Sequence, residues 1–177
     1  YKKEEQYICD IRESKLTSDD RIISDDEELL NNIVEHIPSA GKIVSLYYDK
    51  LLPLYKCYNL EKIINDALSP KVWLKSGAYL VIEPTEALTV IDVNTGKFDG
   101  NKKNREDTFL KINLEAAGQI CRQIKLRNIS GIIIVDFINM ENPDNNTELI
   151  NFLKNELSKD QVPSFFIEMT KLGLVEI

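Results

Sequence analysis

The chain has 177 residues and a mass of 20.3 kDa, and 43% of its residues are hydrophobic and 29% charged, which excludes general disorder. At this length roughly 70% of the unfolded chain's surface can be buried, so neither a disulfide framework nor a structural metal is required. A net charge of −7 and a pI near 4.9 exclude a surface that binds polyanions throughout, so any contact with nucleic acid must come from a local cluster or a bound cation.

Residues 1–20 are polar with one short apolar thread, Tyr7, Ile8 and Ile11, and define no element. Residues 21–24 read as a short strand. Asp25 and Asp26 can cap a helix whose apolar positions, Leu29, Leu30, Ile33, Val34 and Ile37, recur at helical spacing. Residues 38–41 break it, and 42–47 read as a second strand. Residues 49–68 predict a short helix, an interruption near Pro53 and a longer helix, with Pro70 closing this half. Alternating strand and helix predict a small α/β unit over residues 1–71.

Residues 72–177 follow another pattern. Residues 79–82 and 88–91 predict two strands of a hairpin, joined by the tight-turn sequence Glu83-Pro84-Thr85-Glu86. After a polar loop over 95–104 comes a long helix with the apolar stripe Phe109, Ile112, Leu114, Ala116, Ala117, Ile120 and Ile124. Lys125 and Arg127 fall in its last turn, where cations complement the helix dipole. Residues 132–137 are apolar on both faces, which predicts a central strand covered by helices on each side. A helix over 147–157 and a last strand over 164–169 complete the reading. The expected fold class is α/β, a mixed β-sheet with flanking helices preceded by a smaller α/β unit.

Chemistry, if present, belongs to carboxylates and a metal, because the single histidine, His36, excludes any mechanism needing a histidine pair. Cys9, Cys57 and Cys121 form no CxxC pattern, so reduced thiols in the cytoplasm are the simplest reading. No apolar run is long enough to span a membrane, and Tyr1-Lys2-Lys3-Glu4-Glu5 is unlike a signal peptide and looks like the edge of an excised domain. Two predicted strands end in aspartate, Val90-Ile91-Asp92 and Ile134-Val135-Asp136, with Asn94 two residues beyond the first. Alternation puts Asp92 and Asn94 on one face with Leu88 and Val90, and Asp136 with Ile132 and Ile134. A carboxylate among aliphatic side chains is costly unless it is paired or metal-bound. On neighbouring strands the two would repel by about 4 kcal/mol at roughly 4 Å in an effective dielectric near 20, and a divalent cation reverses that sign. The alternative is that both aspartates merely end strands or cap helices, and spacing alone leaves both readings open.

Other candidates are weaker. Thr95-Gly96-Lys97 fails as a phosphate-binding loop, with Ile91 where a glycine is required and Phe98 where Ser or Thr is required. Lys97, Lys102, Lys103 and Arg105 could bind phosphate or form a solvated loop. Glu115 and Arg122 could face a site or solvent. Trp73 is expected as a core anchor rather than a base-stacking platform, and His36 as a structural residue.

Residues 77–100, GAYLVIEPTEALTVIDVNTGKFDG, and residues 113–140, NLEAAGQICRQIKLRNISGIIIVDFINM, strongly resemble the ribonuclease E/G family of bacterial endoribonucleases in letters, order and spacing. The likeness continues more weakly through MTKLGLVEI at 169–177, and upstream through RIISDDEELL at 21–30 and GKIVSLYYDKLLPLYKCYNLEKIINDAL at 41–68. It implies a deoxyribonuclease-I-like catalytic subdomain over 72–177 and the later part of a ribonuclease-H-like subdomain over 1–71. It implies that Asp92 and Asp136 hold a catalytic Mg²⁺, for which Mn²⁺ can substitute, with Asn94 as an orienting neighbour. The implied activity is hydrolysis of single-stranded RNA to 5′-phosphate and 3′-hydroxyl ends, in a cytoplasmic enzyme that is a homo-oligomer at full length. Lys97, Lys102, Lys103 and Arg105 are then the expected RNA contacts. A scaffold for RNA processing that keeps the fold without the activity is the alternative; a metal-dependent phosphohydrolase of small molecules ranks below it. The chain departs from the family in carrying Asn139 where a second aspartate is common. The family's S1 and 5′-end-sensing regions and its CPxC zinc link have no counterpart here, so a catalytic piece of a longer enzyme is expected.

Overall fold

The computed structural model describes residues 5–96, 105–159 and 163–177. They fall into two units, Tyr1–Ile64 and Asn65–Ile177.

In the first unit, α1 (Gln6–Glu13) is a helix where the sequence defines none; it buries Ile8. Its apolar thread is too short to announce a helix, and Tyr7 and Ile11 become legible only by packing on Leu30, Ile33, Ala40 and Ile43. Strands β1 (Ile22–Ser24) and β2 (Val44–Leu46) pair in parallel, connected through α2 (Glu27–His36) and a 3₁₀ turn at Pro38–Lys42. Asp26 caps α2 by accepting from the Leu29 amide at 3.0 Å, a contact worth about 1 kcal/mol. The expected helix pair after Pro53 is present as α3 (Leu54–Cys57) and α4 (Leu60–Ala67).

The second unit is a five-stranded sheet in the order β3 (Lys71–Trp73), β4 (Tyr79–Pro84), β5 (Leu88–Asn94), β6 (Ile132–Asp136), β7 (Leu174–Glu176). Only β5 and β6 are parallel, and such a pair needs a long crossover, supplied by α5 (Arg105–Arg127). The hairpin turn closes where Thr85 donates its amide and hydroxyl to the Leu88 carbonyl. Helix α6 (Pro143–Leu157) starts earlier than the apolar pattern indicates, because Asn142 caps it and Pro143 fits a first turn that needs no amide donor. The fold is thus α/β, a mixed sheet flanked by helices.

The core lies on one face of the sheet. Leu80, Ile82, Ile91, Val93, Ile133, Val135 and Val175 meet Ile112, Ala116, Ala117 and Ile120 of α5 and Leu149 and Leu153 of α6. The expected cover on both faces of β6 is not found. Among the described residues the other face is open, and Ile132 is 57% exposed there. The expected strand over 164–169 is also corrected. Its aromatic run looks strand-like, but the ladder position beside β6 belongs to β7, and Phe165 and Ile167 remain exposed. Residues 167–170 fold back on β7 instead, with the Ile167 amide donating to the Glu176 carbonyl at 2.8 Å and a tight turn at Gly173.

Candidate active site

Asp92 lies in β5 and Asp136 is the last residue of β6, and the two are register partners across the parallel pair. Neighbouring strands run about 4.8 Å apart, so the two carboxylates leave the backbone side by side on one face. That face is the open one: Thr89, Ile91 and Val93 point into the core, and Asp92, with Val90 and Asn94, points away. Both aspartates are exposed, so the expected cost of sinking them among aliphatic side chains does not arise. Their mutual repulsion remains. The pair stands at the carboxyl ends of the parallel strands, where open α/β sheets generally present their ligand sites.

Asn94 lies on the same face as Asp92, and its Nδ2 donates to Asp92 Oδ2 at 2.7 Å. It orients one carboxylate oxygen. Beyond Asn94 the chain turns at Gly96, whose φ is +68° and whose missing Cβ would meet the Gly77 carbonyl oxygen at 2.4 Å. Only glycine lets the end of β5 pass the start of β4 so closely.

Asn113 is a structural support of the candidate site that sequence reasoning misses. It is fully buried in α5, and its side-chain amide donates to the Ile138 carbonyl at 2.8 Å and accepts from the Ile138 amide at 3.0 Å. This clamp fixes the chain two residues after Asp136. The signal for it is a polar residue within the apolar register of Ile112, Ala116 and Ala117. Glu115 is likewise assigned: it accepts from the Lys75 amide at 2.6 Å and the Ser76 amide at 3.3 Å, holding the turn between β3 and β4.

The expected basic cluster is placed only in part. Lys97, Lys102 and Lys103 lie outside the described residues, and Arg105 opens α5 with its guanidinium 5.0 Å from the Phe109 ring. His36 ends α2, exposed, with Nδ1 2.9 Å from the Asn32 carbonyl oxygen. Trp73 is not a core anchor, for it is 63% exposed on the open face; the expectation of burial rests on its size, which usually drives tryptophan inward. Cys9, Cys57 and Cys121 are free of disulfides.

Among the described residues no three His, Cys, Asp or Glu side chains converge as a metal cage. A hard divalent cation of the Mg²⁺ type commonly takes one or two carboxylates and retains several waters, and the two carboxylates of Asp92 and Asp136 are a donor set that would fit it. No helix among the described residues is long and apolar enough to cross a membrane.

An α/β sheet with an acidic pair at the ends of its parallel strands, one member oriented by an asparagine, defines a candidate hydrolytic centre. The family model of the ribonuclease E/G family matches residues 1–177, and the chain belongs to that family. Similar proteins include ribonuclease G of Salmonella typhimurium (strain SL1344), 43% identical over 151 residues, covering 85% of this chain and 30% of the relative. Ribonuclease G of Haemophilus influenzae is 44% identical over 81% of this chain and 29% of its own length. Ribonuclease E of Nostoc sp. is 38% identical over 89% of this chain and 24% of its own length. The chain therefore spans about 30% of the ribonuclease G relatives it matches.

Proposed function

We propose that this chain carries the hydrolytic centre of an Mg²⁺-dependent endoribonuclease that cuts single-stranded RNA in RNA processing, leaving 5′-phosphate and 3′-hydroxyl ends. One observation carries the reading: Asp92 and Asp136 are register partners on the open sheet face, with Asn94 bonded to Asp92. Membership of the ribonuclease E/G family supports it. Asp92 and Asp136 would hold the ion, Mg²⁺ or in its place Mn²⁺, which prefers the same oxygen ligands. When bound, such an ion lowers the pKa of a coordinated water and offsets charge on the phosphoryl oxygens.

The protein's own groups do the rest. Asn94 keeps the Asp92 carboxylate in one orientation, so no rotamer has to be sorted when the substrate arrives. Asn113 holds the segment following Asp136. Cleavage through the RNA's own 2′-hydroxyl calls for a general base and acid, commonly histidines, and this chain has one histidine. Attack by water is the better supplied route. Lys97, Lys102, Lys103 and Arg105 follow Asp92 in sequence and would contact phosphates. The family resemblance supports a cytoplasmic, homo-oligomeric full-length enzyme.

The test uses full-length enzyme and an oligonucleotide with 2′-deoxyribose at the cut site. Cleavage survives that change and is lost in EDTA or in Asp136→Asn. Complete dependence on the 2′-hydroxyl overturns the proposal.

A further inference from the structure

The register of the sheet places more than carboxylates on the open face. One row across the strands runs Lys71, Val81, Asp92, Asp136, Leu174. The row beside it runs Trp73, Tyr79, Asn94. Core-facing Leu80 and Ile82 alternate with Tyr79 and Val81, so Tyr79 shares the face of the acidic pair and is cross-strand neighbour to Asn94. The rings of Trp73 and Tyr79 meet at 5.2 Å between centroids with a 59° tilt. Lys71 Nζ sits 4.1 Å from the Trp73 centroid and 3.7 Å from that of Tyr79.

We propose that Trp73, Tyr79 and Lys71 form a base-stacking subsite for the nucleotide beside the phosphate that an ion at Asp92 and Asp136 would hold. A large aromatic ring held 63% exposed on a sheet face, next to a second ring and a cation, has the makings of a single-strand platform. Every base offers a π-face, so such a platform tolerates any sequence. In the free protein the Lys71 ammonium occupies the ring faces by cation–π attraction. On binding, Lys71 turns to a phosphate, and the rings it leaves take the base. Lysine on an edge strand such as β3 also deters pairing with other chains, but that role needs no ring pair beneath the ammonium. The subsite depends on the proposed function only for its position beside the scissile phosphate; stacking itself needs neither ion nor cleavage.

Trp73 is the sole tryptophan of the 177 residues, so the tryptophan fluorescence of this chain reports on the subsite alone. The chain is titrated in EDTA with a single-stranded oligoadenylate and with an abasic ribose-phosphate oligomer of equal length. The expected result is saturable quenching by the oligoadenylate and none by the abasic chain. By anisotropy of a labelled oligonucleotide, Trp73→Ala and Tyr79→Ala weaken binding by roughly 5- to 100-fold, the range typical of one lost stack, and Trp73→Phe retains most of it. Circular dichroism checks that each variant is folded, which exposed Trp73 makes the expected outcome. Equal quenching by the abasic chain, absence of saturable quenching, or unchanged affinity in folded Trp73→Ala overturns the subsite. Trp73 emission that follows protein concentration without RNA also overturns it, by assigning the face to a second copy of the chain. Asp92→Asn separates the two readings: it is expected to quench as the parent does, and in full-length enzyme to cleave nothing. Cleavage by that variant defeats the hydrolytic reading alone.

Discussion

At the scale of single residues, Asn113 does the most for the site from outside it. A buried side-chain amide bonded to both backbone groups of Ile138 replaces the partner that a chain leaving a strand would otherwise lack. Replacing Asn113 with Ala leaves the part-buried Ile138 amide and carbonyl without their partner and should cost about 1–2 kcal/mol, within the usual range for such losses. Urea unfolding measures this, with the midpoint falling and the m-value unchanged. A variant within about 0.5 kcal/mol of the parent would show that water or a rearranged loop replaces the clamp. Asp92 and Asp136 can be picked out of the sequence as candidates, each ending an apolar run and Asn94 falling on the strand face of Asp92, but their pairing across neighbouring strands is set by the sheet register and is not written in the spacing. Asn113 is hidden there because a helical stripe is read for its apolar members, and polar ones among them count as noise. Trp73 misleads for the opposite reason, since size signals burial only where both faces of a sheet are covered.

Among the elements, those with local signals are readable. The β4–β5 hairpin, α5 and β6 follow from a turn sequence, a long periodic stripe and an apolar run. Strands β3 and β7, each three residues long, exist because neighbours offer ladder partners, and three residues carry no periodicity of their own. The junction of α5 and α6 is also tertiary. Glu106, in the first turn of α5, accepts from the Glu141 amide at 2.9 Å, the Asn142 amide at 3.5 Å and Asn145 Nδ2 at 3.2 Å. The Glu141 amide in particular holds the Glu106 carboxyl below the usual glutamate range, against the opposing pull of desolvation. A carboxyl depressed in the folded state stabilises above its unfolded pKa, near 4.3, and loses that contribution as pH falls through the folded value. Glu106→Gln should therefore lower Tm at pH 7, and the gap from the parent should close below about pH 4. Thermal unfolding of both proteins across that range decides it. A gap that is the same at every pH would show that the charge contributes nothing at this junction.

For the whole molecule, charge limits how RNA can be held. The chain carries 22 Lys and Arg against 29 Asp and Glu, so at long range it repels a polyanion. On the proposed reading recognition is then local, through an ion at the acidic pair, a few cations, and bases laid on Trp73 and Tyr79. Counterion release ties the salt dependence to the number of phosphates neutralised, with a log–log slope of about −0.7 per phosphate for single strands. Two or three phosphate contacts give a slope no steeper than about −2, where an extended basic groove would give far more. Binding of single-stranded RNA by these 177 residues should accordingly be weak and change little between low and moderate salt. Swapping the basic residues for neutral ones should matter less than removing an aromatic ring. Anisotropy titrations across a series of KCl concentrations measure the slope directly. Tight binding with a slope steeper than about −4 would mean that a basic surface, rather than the open face of the sheet, carries the RNA.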